Sequence, residues 1–295
     1  MEASERLGHW GPACLPDLIG LWSQCLPTDP IAAEDLRRVI TDDAGVVLGS
    51  ADGKAAVSVL TRRTPAGPAG FIRLLLVAPQ ERRRRRATAL LDAAEDWLAA
   101  QGASTVQLGG EFPEYLWPGV DMRNVGTQAL AQQCGYRATG GEITMNMPTE
   151  GFRAPPPNGV TVRTVSAADR RHSAALELLV TSNWPHWLPV LRRAVERGTI
   201  TGAFVTRGPG QPDAVGFAAH SAVREGWLGP VGTAPDHAGR GIAAATISGA
   251  LADLRARGVR RTEVAWMGIP GYFADRGADF AHGYLHLGKD LSPTG

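Results

Sequence analysis

Lysine is nearly absent from this chain. Among its 295 residues only Lys54 and Lys289 are lysines, and arginine supplies almost all of the positive charge. This bias is typical of a GC-rich bacterial genome. The formal net charge of +1 excludes a global electrostatic attraction to nucleic acid or to a membrane surface, so any basic effect has to be local.

Cysteine is also scarce, with only Cys14, Cys25 and Cys134, and no two of them form a CxxC pair. This pattern argues against a disulfide framework and a zinc site, and we expect no metal. No apolar run approaches the roughly 18 residues of a membrane span. The start lacks a basic segment followed by a long apolar run, so we predict no signal peptide and a cytoplasmic protein.

The length suits two domains, since a domain typically takes about 100–200 residues. The stretch "PTEGFRAPPPNG", residues 148–159, is rich in proline and glycine and is typical of a linker. We therefore predict an N-terminal domain at residues 1–150 and a C-terminal domain at 151–295. After the linker, "VTVRTV" predicts a strand, and Ser166 is the expected N-cap of the next helix.

The two halves repeat the same order of strands and helices. Pro79 and Pro235 lie 156 positions apart by subtraction, whereas Gly135 and Gly277 lie 142 apart. The first half therefore carries extra residues, which fall around "EFPEYLWPGVDMRN". A long-period repeat predicts two copies of one domain, and alternating strands and helices predict α/β units with a mixed sheet.

One glycine-rich turn in the second half suits a phosphate group. "PDHAGRGIAAATI", residues 235–247, joins a predicted strand to a predicted helix. The first amides of a helix have no intrahelical partner, and Gly239 and Gly241 let a phosphate approach the backbone closely. Arg240 adds a charged side chain. Neither the GK[ST] ending of a Walker A loop nor GxGxxG occurs here, which disfavours a nucleoside triphosphate or a dinucleotide.

With its preceding strand, "VGTAPDHAGRGIAAATI" resembles the acyl-CoA-binding motif of the GCN5-related N-acetyltransferases, V-x-P-x-x-R-G-x-G-I-G/A. The later "YFADRGADF" resembles that family's Tyr-x-x-x-Gly-Phe motif. Because the element order fits both halves, the chain is identified as a tandem member. The resemblance implies acetyl-CoA as cofactor, bound in a V-shaped split between two central strands.

The resemblance also implies which residues hold the cofactor. Val231 and Thr233 would present strand backbone to the pantetheine arm and the thioester. Ala238 stands where the family usually has an arginine, a departure that weakens cofactor affinity. The pyrophosphate loop would consist of Gly239, Arg240, Gly241, Ile242 and Ala243.

The same motif explains the arginine run "QERRRRRATALL", residues 80–91. Arg82 takes the position of the opening arginine, but Arg85 replaces the second glycine and Arg86 the isoleucine. Side chains at those positions obstruct backbone contact with phosphate, which favours a degenerate cofactor site in the N-terminal domain. A working but altered site and a separate polyanion or nucleic-acid patch are the alternatives.

Acetyl transfer to an amine needs a polarised carbonyl and a neutral nucleophile. A strand amide can polarise the carbonyl, and Val231 is our candidate. An alkyl amine with a pKa near 10 is mostly protonated at neutral pH, so a general base is required. Glu225, just before the strand of Val231, is our first candidate, and Glu263 and His220 are the alternatives.

The family typically uses a tyrosine to protonate the departing thiolate. The matching position here is Phe273, so the neighbouring Tyr272 is our candidate acid. Tyr284 could substitute, or the thiolate could leave unprotonated.

Tryptophan is concentrated in the second half and predicts an acceptor pocket there. An aromatic wall binds an ammonium group by cation–π contact, although core packing is the ordinary role of a tryptophan. The candidate pocket residues are Trp184, Trp187, Trp227 and Trp266.

We therefore expect an acetyl-CoA-dependent N-acetyltransferase that acts on a small-molecule primary amine from its C-terminal domain. A noncatalytic acyl-CoA-binding scaffold and a Fem-like aminoacyl transferase are the alternatives. We expect a monomer or homodimer, with neither a membrane nor a nucleic acid as partner.

Overall fold

A computed structural model of the chain describes residues 7–65, 67–206 and 212–291. It divides into a first unit, Met1–Glu142 with Gly283–Gly295, and a second unit, Ile143–His282. These units differ from the predicted domains 1–150 and 151–295 chiefly at the carboxyl end. Leu287 pairs with Leu108, so the last strand completes the sheet of the first unit.

The first unit is a mixed sheet with helices on both faces. Its strands lie in the order β1 (Leu7–His9), β2 (Gly45–Ser50), β3 (Ala55–Thr64), β4 (Gly67–Val77), β5 (Thr105–Leu108) and β13 (Asp279–Asp290). β4 and β5 run parallel, and the other pairs in this order run antiparallel. The short β6 (Val120–Asp121) pairs with β13, and β7 (Arg137–Pro148) begins in this unit. The helices are α1 (Leu15–Cys25), α2 (Ala33–Ile40), α3 (Arg86–Ala100) and α4 (Val125–Gln133).

Alternating residues of β3 show which helices cover each face. Val57 packs in one buried cluster with Leu90 and Leu98 of α3. Its neighbour Ala56 packs in another cluster with Trp22 of α1 and Leu36 of α2. Because successive strand side chains point to opposite faces, α3 covers one face, and α1 with α2 covers the other.

The second unit repeats this plan. From β7, its strands lie in the order β12 (Arg261–Val264), β11 (Leu228–Thr233), β10 (Pro212–His220), β9 (Ile200–Thr206) and β8 (Thr161–Val165). The helices are α5 (Arg170–Asn183), α6 (Leu188–Arg197), α7 (Ile242–Ala256) and α8 (Pro270–Ala274). α7 covers one face through a cluster that includes Ile247, Leu251 and Leu254. The prediction of α/β units with mixed sheets is confirmed.

Each sheet opens between two parallel strands at an equivalent position. β4 pairs with β5 as far as Ile72 and Leu108, and then continues to Val77 paired only with β3. β11 pairs with β12 only at Leu228 and Val264, and then continues to Thr233 paired only with β10. Both residues of the second pair lie 156 positions after those of the first, so the two splits are repeats. A bulge follows each pair, at Arg73 in β4 and at residues 229–230 in β11.

The start of α5 corrects one prediction. We predicted Ser166 as its N-cap, but the helix begins at Arg170 and Asp169 is the cap, with its carboxylate accepting from the amide of His172 at 3.4 Å. Residues 149–160 form neither helix nor strand, but they lie within the second unit and not at the boundary between the units.

Candidate functional site

The predicted phosphate loop of the second unit has a backbone that only glycine adopts readily. A short 3-10 turn, Pro235–His237, follows β11, and α7 begins at Ile242. Gly239 has φ 75° and Gly241 has φ 81°, both in the left-handed region. A Cβ built on Gly239 would meet nothing within 4 Å, and one on Gly241 only a Pro157 carbon at 3.8 Å. The loop surface at the amino end of α7 is therefore open.

The residues beneath this loop leave one polar atom unsatisfied. The hydroxyl of Thr233 is buried and has no hydrogen-bond partner. Ile242 is buried at 1% exposure, and its Cγ2 lies only 2.5 Å from where a Cβ on Gly216 would stand. This packing fixes the first residue of α7 against β10. Open amides at a helix start, with an orphaned hydroxyl below them, fit the diphosphate and pantetheine of coenzyme A.

The other predicted loop residues extend the same surface. Ala238 is extended, with φ −60° and ψ 149°, and Arg240 is exposed. Ala243 is half-buried in the first turn of α7. Their contact with a cofactor stays a prediction.

The first unit keeps the same loop backbone with arginines in place of the glycines. Arg83 has φ 65° and Arg85 has φ 62° and ψ 3°, close to the 81° and 4° of Gly241. A residue with a Cβ costs about 1–2 kcal/mol in this conformation. The first unit therefore holds the same loop conformation without glycine at these two positions.

Part of the arginine run is occupied by ion pairs within the first unit. Arg86 lies 2.8 Å from Asp52 and 3.2 Å from Glu81, and Arg84 also lies 3.2 Å from Glu81. The hydrogen bond from Arg86 holds the pKa of Asp52 well below its usual range. These contacts tie two of the arginines to the unit's own carboxylates, which disfavours a nucleic-acid patch.

Two of the four tryptophans predicted to line an acceptor pocket lie together. The rings of Trp184 and Trp187 lie 5.4 Å apart, and both pack against Phe217 at about the same distance, 6.0 and 6.1 Å. A Cβ on Gly232 would lie 2.8 Å from both Trp184 and Phe217, so this aromatic cluster sits directly on β11. Since Gly216 faces α7 and Phe217 follows it, the cluster lies on the opposite face.

The other two tryptophans lie elsewhere along the split strands. Trp227 is just before β11, and the guanidinium of Arg224 lies 5.1 Å from its ring centroid. Trp266 follows β12 with φ 53°, in the left-handed region.

Of the predicted bases, Glu225 and His220 occupy different environments. Glu225 is exposed in the connection between β10 and β11. His220 is 1% exposed, and its Nε2 lies 2.7 Å from Asp253 of α7. Burial lowers the pKa of His220, although Asp253 opposes the shift. His220 therefore bridges the sheet to α7 on the face opposite the aromatic cluster.

Glu263 lies on the face of β12 away from α7. Its neighbour Val264 packs in the α7-side cluster, so alternation turns Glu263 to the other face. The carboxylate accepts a hydrogen bond from the hydroxyl of Thr144 and lies 3.4 Å from Nδ1 of His282. Its side chain is 14% exposed and that of His282 is 27% exposed, so both remain open to solvent.

The predicted acid lies on the α7 side of the sheet. Tyr272 and Val231 both pack against the α7-side cluster, in which Phe273 is buried. Arg276 lies 3.6 Å from the ring centroid of Tyr272. Burial raises the pKa of Tyr272 despite the positive charge of Arg276, so the phenol is protonated at neutral pH. The alternative acid, Tyr284, belongs to the first unit.

Sequence reasoning missed a buried ionic network beside the first split. Arg73 and Glu111 are 3% and 1% exposed, and Arg62 lies 2.6 Å from Glu111. Asp42 lies 2.7 Å from Arg62 and 3.1 Å from Arg73. Burial raises the pKa of Glu111, although the charges of Arg73 and Arg62 oppose the shift. The 156-residue repeat offered a signal, because Arg73 and Glu111 match Gly229 and Met267, which carry no charge.

Neither a metal site nor a membrane span occurs among the residues that the structure describes. No cluster of three or more histidine, cysteine, aspartate or glutamate side chains there could hold a metal ion. No helix there is long and apolar enough to cross a membrane.

Comparison with known proteins agrees with this geometry. Residues 10–136 match the Acetyltransferase (GNAT) family. None of the curated proteins compared with the chain matches it. The family match falls on the half that carries the arginine run.

Several solved structures share the fold along nearly the whole chain. A tandem GNAT protein from the clavulanic acid biosynthesis pathway, in a structure without acetyl-CoA, has a TM-score of 0.75 at 15% identity, covering 98% of this chain and 99% of that one. A GCN5-related N-acetyltransferase from Sphaerobacter thermophilus has a TM-score of 0.67 at 23% identity, covering 98% and 96%. A glucosamine N-acetyltransferase region of a fungal multi-domain protein has a TM-score of 0.75 at 18% identity, covering 96% of this chain but only 38% of that one.

The match of the first half to the family, the repeated split and loop, and the tandem fold of the relatives agree with one another. Residues 10–136 therefore carry a GNAT-family domain, and the whole chain shares the fold of a solved tandem GNAT protein.

Proposed function

We propose that this protein is an acetyl-CoA-dependent N-acetyltransferase whose second unit transfers an acetyl group to the primary amine of a small molecule. The observation that carries the proposal is the open glycine loop, residues 238–241, at the amino end of α7 beside the split of β11 and β12. Such a loop presents several amides to one anionic group. From the composition, we further propose that it acts in a bacterial cytoplasm as a monomer or homodimer.

The loop and the split would bind different parts of the cofactor. The amides of Gly239 to Ala243 would hold the diphosphate, with Arg240 as a charged neighbour. Val231 and Thr233 would hold the pantetheine arm along β11. When bound, acetyl-CoA supplies the activated acetyl group. Donation from the Val231 amide would polarise its carbonyl, an effect worth about 3 kcal/mol for such donors.

The thioester sulfur and the acceptor would lie on opposite faces of the sheet. Tyr272, protonated and packed against the same cluster as Val231, would donate a proton to the sulfur on the α7 face. The aromatic cluster of Trp184, Trp187 and Phe217 would bind the acceptor on the opposite face. Aromatic rings attract an ammonium group by about 0.5–2 kcal/mol each, which suits a protonated amine.

The first unit would support the second rather than catalyse transfer. Its loop has the right backbone, but Arg85 carries a side chain where the second unit has Gly241. Its split also holds the buried pair of Arg73 and Glu111. We propose that this unit is a degenerate copy with a structural role.

Exchanging residues between the two loops tests the assignment. Isothermal titration should find one coenzyme A per wild-type chain. Gly241→Arg, which installs the residue of the first unit, should abolish that binding, and Arg85→Gly should leave it intact. Gly241→Arg should likewise abolish thiol release from acetyl-CoA in the presence of a panel of amines, and Arg85→Gly should leave that release intact. Binding that survives in Gly241→Arg would contradict the proposal.

Two rival functions predict different combinations of results. A noncatalytic acyl-CoA-binding scaffold, favoured by Ala238 and Phe273, would bind coenzyme A at the same loop without releasing thiol in the presence of any amine. An aminoacyl transferase of the Fem type would keep its activity in Gly241→Arg, because it does not need this loop.

A further inference from the structure

A carboxylate stands at the closed end of the second split. Val264 pairs with Leu228, and the hydroxyl of Thr262 donates to the carbonyl of Gly226 at 2.7 Å. Glu263 lies between these two contacts, so its backbone is fixed on both sides against β11 and the turn before it. Its side chain points away from α7, to the face that carries the aromatic cluster.

Side chains from β7, which is next to β12, and from β13, the strand beyond β7, contact this carboxylate. Thr144 of β7 donates its hydroxyl hydrogen to Oε1 of Glu263, and Nδ1 of His282 in β13 lies 3.4 Å from the same oxygen. The connection between β10 and β11 brings Arg224, beside Trp227, and the exposed Glu225 to the same end of the split. A carboxylate fixed by a hydroxyl and adjoined by an imidazole is equipped to accept a proton and pass it on.

The first unit serves as an internal comparison. The residue 156 positions before Glu263 is Gln107, whose amide donates to the carbonyl of Gly109 at 3.1 Å. An amide cannot accept a proton at neutral pH. The unit with the arginine loop thus lacks a carboxylate here, whereas the unit with the glycine loop has one. The second unit therefore has both the glycine loop and the carboxylate that a transferase needs.

We propose that Glu263 is the catalytic residue that takes the proton from the acceptor amine, and that His282 is a positioning residue that passes the proton to solvent. The inference rests on the proposed acetyl transfer by the second unit, and it implies an acceptor that arrives as an ammonium ion. Glu263 replaces Glu225 as our assignment of the base.

The proton balance of the reaction is simple. The ammonium loses one proton to Glu263, and the freed nitrogen lone pair forms the C–N bond to the acetyl carbon. The C–S bond breaks and its electron pair leaves on sulfur, which takes a proton from Tyr272. The nitrogen then loses a second proton to water, and a proton from water restores the phenol of Tyr272. The products are an amide, a thiol and one released proton.

The test is a pH profile of kcat/KM for isosteric variants. Glu263→Gln reproduces the residue of the first unit and should lower kcat/KM by about 100-fold or more near pH 7. The deficit should shrink as the pH approaches the amine pKa of about 10, because the neutral amine needs no base. His282→Gln should shift the acidic limb of the profile. Coenzyme A affinity should be unchanged in both, which shows that the second unit is folded.

The matched control removes a different carboxylate from the same pair of strands. Asp279 of β13 lies 2.7 Å from Arg261 of β12 and is 67% exposed, so Asp279→Asn should keep the wild-type profile. A wild-type profile in Glu263→Gln would overturn the inference, as would loss of the acidic limb in Glu225→Gln alone. Absence of thiol release by the wild-type protein would instead overturn the proposed function itself.

Discussion

Arg73 and Glu111 form a buried ion pair beside the first split, with Nη1 of Arg73 3.5 Å from Oε2 of Glu111 and both side chains at most 2% exposed. At the equivalent positions the second unit has Gly229 and Met267. The repeat therefore preserves the backbone of the split, while the chemistry beside it differs between the copies. Charged groups fill this region in the first unit, and uncharged residues fill it in the second.

Removing one member of this pair should cost far more than removing both. Arg73→Met or Glu111→Met alone leaves unbalanced charge in the network, which typically costs about 3–5 kcal/mol for a buried pair. The double variant leaves Arg62 paired with Asp42 and should be much less destabilised than the sum of the singles. Urea unfolding of the four proteins gives the coupling energy.

The control for this cycle is an exposed pair in the same unit. Arg123, 71% exposed, lies 2.6 Å from Asp121, and Arg123→Gln should change the stability by less than about 1 kcal/mol. Strictly additive effects of the two methionine substitutions would show that Arg73 and Glu111 do not interact energetically.

The corrected start of α5 gives a second prediction. Asp169→Ala should destabilise the protein by about 1 kcal/mol, because its carboxylate satisfies an amide of the first helical turn. Ser166→Ala should change the stability by less than about 0.5 kcal/mol. Denaturant midpoints of the two variants measure the difference, and the reverse order would restore Ser166 as the cap.

The fold was predictable from the sequence wherever the signal was local. Apolar spacing predicted α3 and α7, and the glycine signals predicted the two loops, whereas the proline-rich stretch at residues 148–159 lies within the second unit and does not mark the boundary between the units. The final strand was assigned to the C-terminal domain, yet part of it belongs to the first unit. Its pairing with β5 joins Leu287 to Leu108, residues far apart in the chain, and no local pattern encodes such a partner.

In the candidate site too, only the features that depend on local sequence could be predicted. The motif located the loop at Gly239 and Gly241 correctly, because glycine is required there for a stated backbone reason. The sequence left Glu263 only as an alternative base, and it gave no sign of His282 beside it. That pair depends on the register of β12, β7 and β13, which is set by tertiary pairing. Arginine at positive φ was equally unpredictable, because arginine rarely adopts that conformation.

A third prediction concerns the pH dependence of stability. Burial lowers the pKa of His220 from its ordinary value near 6.5, so below that pH the unfolded chain binds a proton that the folded chain does not. Its contribution to stability is complete above about pH 6.5 and is lost as the pH falls toward the folded pKa. Urea midpoints between pH 8 and 5 should fall more steeply for the wild type than for His220→Gln. Substitution of the exposed His186 by glutamine serves as the control, and equal slopes for wild type and His220→Gln would contradict the prediction.

The arginine run offers a direct measure of backbone strain. Arg85→Gly relieves about 1–2 kcal/mol of left-handed strain and adds about 0.5–1 kcal/mol of chain entropy to the unfolded state, so it should stabilise the first unit slightly. Arg84 is the matched control: it lies in the same run and is also exposed, but its φ is not positive. Arg84→Gly should therefore destabilise the protein, since it adds the entropy without relieving strain and also removes the contact with Glu81. Thermal unfolding of the two variants should give shifts of opposite sign, and equal shifts would show that the loop of the first unit relaxes when its side chains change.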